Sequence, residues 1–180
     1  MDRQKLYTTA CYPGTFDPIT LGHVDIVKRA SRLFERVIVV VANPVHKKSL
    51  FSLEERVRMV EESVANLPNV EVRTLESKLL MDFCKDNNIG IVIRGMRAVS
   101  DFEYEFKMAW MNRKLFPEIE VVFLLPSEEY TYLSSTLVKE IATLGGDISP
   151  LVPEPVLKYA HLIRERIYRA GLGDEKEHSL

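Results

Sequence analysis

The sequence predicts an α/β chain: a doubly wound, five-stranded parallel sheet with helices on both faces. Three observations carry that prediction. Short apolar runs alternate with helical patterns along the chain. The runs are apolar nearly throughout, as strands covered on both faces are. Each gap between runs holds a helical pattern that can serve as a right-handed crossover. The strand runs cover residues 6–12, 37–42, 70–74, 89–93 and 121–125. Helical spacing places helices over 22–34, 53–66, 79–87, 101–115, 135–144 and 154–170. In the first of these, His23, Ile26, Val27, Ala30, Leu33 and Phe34 fall on one face. Ser52-Leu53-Glu54-Glu55 and Ser100-Asp101-Phe102-Glu103 have capping-box form and mark two helix starts. Gly145-Gly146 marks a helix stop. Pro150, Pro153 and Pro155 lead into the last helix, and the polar tail from residue 171 is expected to fray.

At 180 residues the chain suits one domain, with a core over about 6–165. A composition of 46% hydrophobic and 28% charged residues is that of a globular protein. The net charge of -2 gives no polybasic footprint, which argues against nucleic acid as a partner. No apolar run approaches the roughly 20 residues that span a bilayer, and Met1-Asp2-Arg3-Gln4-Lys5 precedes no signal-like apolar segment. The two cysteines, Cys11 and Cys84, fall in a strand and a helix and read as buried thiols, so a cytoplasmic location is expected. His23, His46, His161 and His178 show no ligand spacing, so no protein-held metal is expected.

A strand order of 3-2-1-4-5 places the topological switch between the first and fourth strands, where ligands bind beyond the carboxyl ends. The unusual residues of the chain fall there. Tyr12-Pro13-Gly14-Thr15-Phe16-Asp17-Pro18 turns into Thr20-Leu21-Gly22-His23 at a helix start, a setting suited to phosphate. The competing reading of His23 is an ordinary core residue, and that of Thr15 a turn-stabilising hydroxyl. Asp17-Pro18 reads as turn chemistry. Arg94-Gly95-Met96-Arg97 brings two guanidiniums to a strand end, either for phosphate or as solvated surface. Ser134, Ser135 and Thr136 open another helix, as caps or as donors to a nucleotide, with Lys139 one turn inside. Lys47 and Lys48 follow the second strand and could hold a second anion. Glu105 is either an acceptor for a ribose or adenine or a plain exposed acid.

Taken together, these segments resemble the bacterial phosphopantetheine adenylyltransferases of the nucleotidylyltransferase superfamily, whose signature is T/HxGH. The resemblance runs in order through Tyr12 to His23, Lys47-Lys48, Phe51 to Arg56, Ile93 to Ala98, Asp101 to Glu105, and Ser134 to Lys139. It implies a Rossmann-like fold and reversible transfer of the adenylyl group from ATP to 4'-phosphopantetheine. The products are dephospho-CoA and pyrophosphate, the penultimate step of coenzyme A biosynthesis. It implies Mg2+ carried with ATP, a homohexamer built as a dimer of trimers, and leaves open whether CoA feeds back on the enzyme.

Carried over by position, the resemblance makes His23 the transition-state stabiliser. It gives ATP to Thr15, Phe16, His23, Gly95, Met96, Arg97, Glu105, Tyr130, Thr131, Tyr132, Leu133, Ser134, Ser135 and Thr136. It gives phosphopantetheine to Thr15, Lys47, Leu80 and Arg94, with Leu79 as the alternative to Leu80 because the 76–80 stretch is one residue longer than in some members of that family. His46-Lys47-Lys48-Ser49 stands where Ser-Lys-Lys-Pro is frequent, and Thr136 where a third serine is. A related nucleotidylyltransferase with another acceptor, such as nicotinate mononucleotide, is the nearest rival, followed by a non-catalytic nucleotide-binding protein.

Overall fold

The computed structural model describes residues 8–43, 48–75, 78–97 and 99–177. Its elements follow the chain as β1 (Thr9–Gly14), α1 (Leu21–Leu33), β2 (Arg36–Ala42), α2 (Leu53–Val64), β3 (Val70–Leu75) and α3 (Leu80–Asp86). They continue as β4 (Ile91–Gly95), α4 (Val99–Leu115), β5 (Glu120–Leu124), α5 (Ser135–Thr143), α6 (Glu154–Leu157) and α7 (Ala160–Glu177). The strands form one sheet in the order β3-β2-β1-β4-β5, and each pair is parallel, as expected.

Period-2 alternation sends the strand side chains to two separate cores. Val37, Val39 and Val41 of β2 join Ile26 and Val27 of α1, Met59 and Val60 of α2, Val138 of α5 and Ile163 of α7. Ile38 and Val40 point the other way, to Met81 and Cys84 of α3, Ile89 and Ile119. Cys11 and Cys84 are both fully buried on that side, their Sγ atoms 3.7 Å apart. Helices therefore cover both faces of the sheet, and β1 and β2 lose all contact with water at their centres.

Several boundaries differ from those read in the sequence. β1 continues to Gly14, and residues 6 and 7 of the expected strand lie outside the described residues. β4 begins at Ile91 in place of 89, because Asn88 turns with φ 53° and the Ile89 N–H closes α3 on the Cys84 carbonyl at 2.8 Å. α4 starts at Val99, so Ser100 lies inside the first turn; Asp101, not Glu103, reaches back, accepting from the Arg97 N–H at 3.2 Å. The single helix expected over 154–170 is broken between α6 and α7, where Tyr159 and Leu162 donate three residues back, to Val156 and Tyr159. α7 then runs on to Glu177, through residues expected to fray.

The Ser52 capping box is formed in both directions with Glu55. Gly145 ends α5 at φ 80°, and the Gly146 N–H closes on the Ile141 carbonyl at 2.9 Å. No helix of the described residues is long and apolar enough to cross a membrane.

Candidate functional site

A cleft of about 540 Å³ opens at the carboxyl end of the sheet, over the junction of β1 with β4. That is the size of an ordinary small-molecule site. Its floor is Tyr12 to Phe16 at the end of β1. One wall carries Ala42, Leu75 and Leu80 from the β2–β3 side; the other carries Arg97, Pro126, Tyr130 and Leu133 from the β4–β5 side.

His23 enters this cleft from the first turn of α1, held by an unusual capping box. Thr20 is the N-cap: its Oγ1 accepts from the His23 backbone N–H at 3.4 Å. In return, the Thr20 backbone N–H donates to His23 Nδ1 at 3.0 Å, the place a glutamate or glutamine usually fills. A backbone N–H can only donate, so Nδ1 is the acceptor and the imidazole carries its proton on Nε2. Burial, with the Arg97 guanidinium nearby, pulls the His23 pKa down to about 4. At neutral pH the ring is therefore an uncharged Nε2–H donor.

Phe16 sets the back of the ring. It adopts φ 50°, a costly conformation for a bulky residue, and packs edge-on to His23 at 5.2 Å and to Tyr12 at 5.6 Å. Gly14 is what allows this, because a Cβ there would meet the Phe16 ring at 2.9 Å. At Gly22 a Cβ would meet the Tyr130 carbonyl at 3.5 Å and Thr20 Oγ1 at 3.6 Å, both ordinary contacts. The crowded glycine of this turn is Gly14, and Gly22 marks where α1 abuts the opposite wall.

Arg94 is partly buried and grips Glu105 with two 2.7 Å bonds, from Nε and Nη2. Nη1 of Arg94 takes no part in that pair, and the side chain lines the cleft. Glu105 is buried, so it is not the exposed acid that its sequence context equally suggested, and its carboxylate is engaged by Arg94. Arg97 donates to the Leu133 carbonyl at 3.0 Å and pairs with Asp101, joining the β4 loop to the segment before α5. Ser134 caps α5, accepting from the Leu137 N–H at 3.0 Å, and Ser135 donates to the Pro18 carbonyl at 2.7 Å. Asp25 of α1 accepts from the backbone and hydroxyl of Ser127, which fixes the loop leading to Tyr130.

Thr15, Phe16, His23, Leu80, Arg94, Gly95, Arg97, Tyr130, Leu133, Ser134, Ser135 and Thr136 thus line one cleft. Met96, Glu105, Thr131 and Tyr132 stand outside its lining, Tyr132 on the surface. Leu80 faces the cleft, whereas Leu79 precedes α3 and is exposed. Lys47 lies outside the described residues. Among the described residues no three His, Cys, Asp or Glu side chains converge as a metal site.

Three residues build the site in ways not read from the sequence. Thr20 was hidden because His23 does not look like a capping residue. Asp17 is more than turn chemistry: it accepts from the Leu50 and Phe51 N–H groups, both at 2.9 Å, and pairs with Lys139 at 3.2 Å. Arg56 is completely buried. Its signal was there, since it sits three and four residues before Met59 and Val60 on the apolar face of α2.

A family profile described as Cytidylyltransferase-like matches residues 11–141. A phosphopantetheine adenylyltransferase of Bordetella petrii is 50% identical over 169 residues, covering 92% of this chain and 99% of that protein. One from Azoarcus sp. strain BH72 is 57% identical over 148 residues, covering 82% and 90%. Among solved structures, a Vibrio parahaemolyticus protein assigned as a nicotinate-nucleotide adenylyltransferase aligns with a TM-score of 0.65 at 20% identity, over 87% of this chain and 95% of its own. That likeness bears on the fold alone. The matched segment holds the Thr20–His23 capping box, Arg94, Arg97 and the start of α5, and on those grounds the chain belongs to the cytidylyltransferase-like family, among its phosphopantetheine adenylyltransferases.

Proposed function

We propose that this chain transfers the adenylyl group of ATP to 4'-phosphopantetheine, releasing pyrophosphate and dephospho-CoA, and does so without a general base. The observation that carries the reading is the neutral, Nε2-protonated His23 at a helix start inside the cleft. An acceptor phosphate is already ionised near neutral pH, so its oxygen attacks the α-phosphorus directly. The new P–O bond forms as the bond to the β-phosphate oxygen breaks. Charge grows on the α-phosphate oxygens, and the Nε2–H of His23 donates to one of them, with the positive end of α1 behind it. Arg97, Ser134, Ser135 and Thr136 hold the nucleotide on the β4–β5 side. Thr15, Lys47, Leu80 and Arg94 hold the acceptor, its pantetheine arm against the apolar β2–β3 wall. Mg2+ would arrive with ATP and offset charge on its phosphates; we assign it no side chain of this chain. CoA, which carries the same phosphopantetheine arm, is a further ligand of the acceptor side.

The test is acceptor-dependent pyrophosphate release from ATP. Phosphopantetheine should support it, and nicotinate mononucleotide should not. The Lys47→Ala variant should show weaker acceptor binding with ATP binding little changed. Release without any acceptor, or with nicotinate mononucleotide alone, would defeat this reading.

The exposed face of α4 supports a self-assembly, for which we propose the homohexamer that the resemblance implies. Phe102 stacks on Phe106 at 5.4 Å and Phe106 meets Trp110 edge-to-face at 6.1 Å; all three are exposed, as are Tyr104, Met108 and Met111. Glu105 is the one buried side chain described on this helix. So large an apolar surface on a 17-residue helix calls for a covering partner. Light scattering should give six copies for the native chain and a smaller species for Phe106→Glu; a monomeric native chain would exclude the assembly.

A further inference from the structure

We propose that Arg56 is a positioning residue for the acceptor half of the reaction, an inference that rests on the adenylyl-transfer reading above. Arg56 belongs to α2 and does not line the cleft, but it bonds from behind to two residues that do. The residue is wholly buried, and among the described residues no carboxylate hydrogen-bonds to its guanidinium. It donates instead to three separate stretches of chain. Nη1 reaches the Thr15 carbonyl at 2.7 Å and the Ala42 carbonyl at 2.8 Å. Nη2 reaches Asn43 Oδ1 at 3.1 Å, and Nε the Phe51 carbonyl at 3.2 Å.

A buried cation is expensive, and a hydrophobic side chain of similar size would fill the same volume more cheaply. What a hydrophobic residue cannot do is hold the loop after β1, the end of β2 and the start of α2 at fixed mutual distances. The planar fork of arginine does that. Asp17 completes the arrangement: its charge opposes the loss of the Arg56 proton, and its oxygens pin the Leu50 and Phe51 N–H groups. Both flanks of the segment that contains Lys47 are therefore tied to the turn that bears Thr15. Every stretch that Arg56 binds lies on the floor or the β2 side. Among the described residues it makes no hydrogen bond to the β4–β5 wall, where the other nucleotide contacts are placed; Thr15, which the resemblance gives to both substrates, is the one shared point.

That one-sidedness is testable. Arg56→Lys keeps the charge and can keep the two Nη1 bonds, but a single ammonium cannot also reach Phe51 and Asn43. We expect kcat/KM for phosphopantetheine to fall about 5-fold or more, with the KM for ATP within roughly 2-fold of native. Measurements are made well below the variant's Tm, on protein with native circular dichroism. A lowered Tm with both KM values and kcat unchanged would show a purely structural residue and overturn the proposal, as would equal losses toward both substrates. Should Arg56→Lys fail to fold, Asn43→Ala decides: it removes one of the four bonds and should shift acceptor kcat/KM about 2-fold in the same direction, without change for ATP. Native kinetics in that variant would overturn the role. A native chain that releases no pyrophosphate would remove the reaction and this role together; a native chain that turns over beside unaltered variants would remove the role alone.

Discussion

His23→Ala should lower kcat by about 10²-fold or more while leaving ATP affinity close to native, because the donor it removes is used only as charge builds on the α-phosphate. The same substitution also deletes one half of the α1 capping box and should cost about 1 kcal/mol of stability. His23→Gln separates the two losses. A glutamine at this helix position accepts from the N-cap N–H as the imidazole does, so the cap and the melting temperature should be retained. The Nε2–H aimed into the cleft is gone, so turnover should fall nearly as far as in His23→Ala. Steady-state kinetics beside thermal melts decide it: near-normal turnover in either variant would end the proposed role.

The depressed pKa of His23 makes this donor indifferent to pH over the working range. With a folded-state value of about 4, the ring stays neutral from alkaline pH down through neutrality, and protonation of His23 should not appear in the pH–rate profile above about pH 5. Stability behaves differently. An unfolded histidine takes up its proton near pH 6.5, so the unfolded chain binds more protons than the folded one between about 6.5 and 4. The contribution of the neutral ring is complete above that window and is lost as pH falls through it. It amounts to at most about 3 kcal/mol, less because the ring partly faces the open cleft. The acid limb of the native melting curve should flatten in His23→Ala.

Arg94→Ala should raise the acceptor KM about 10- to 100-fold, the range expected when a charge-assisted contact of about 1.5–3 kcal/mol is lost. It should also destabilise the fold by about 2 kcal/mol, because the buried Glu105 carboxylate loses both 2.7 Å bonds and is left without its cation. Adding Glu105→Ala removes that orphaned charge. The double variant should recover most of the stability and none of the acceptor affinity. Calorimetric melts and acceptor titrations of the four proteins in the cycle measure the two effects separately. Recovery of acceptor binding in the double variant would mean that Arg94 acts on the fold and not on the ligand.

The elements were legible because they rest on local signals: apolar runs of β-branched residues at 37–41, helical spacing in α1 and α2, and a working capping box at Ser52; their strand order followed from the doubly wound pattern of alternation. The cleft was legible for a related reason. In a doubly wound sheet the strand ends converge, so Thr15, His23, Arg94, Arg97 and Ser134 could be grouped by position alone. Pairings between distant residues could not be read that way. The partnership of Arg94 with Glu105 depends on how α4 crosses the end of β4. The Arg56 and Asp17 contacts depend on α2 and α5 packing against the turn after β1. Sequence periodicity shows that Arg56 faces inward but says nothing of which carbonyls it meets. The split between α6 and α7 was missed because two bonds of the tighter, three-residue kind leave no mark in an apolar pattern.

The way His23 is held has a consequence in entropy. An imidazole on a free side chain would have to find one rotamer and one tautomer each time substrate arrived. Here Nδ1 is fixed by the Thr20 backbone, and the ring is wedged edge-on by Phe16. The freedom of that side chain is given up once, when the chain folds and α1 is capped, and is offset there by the packing of the whole domain. Each catalytic cycle then begins with the donor already immobile.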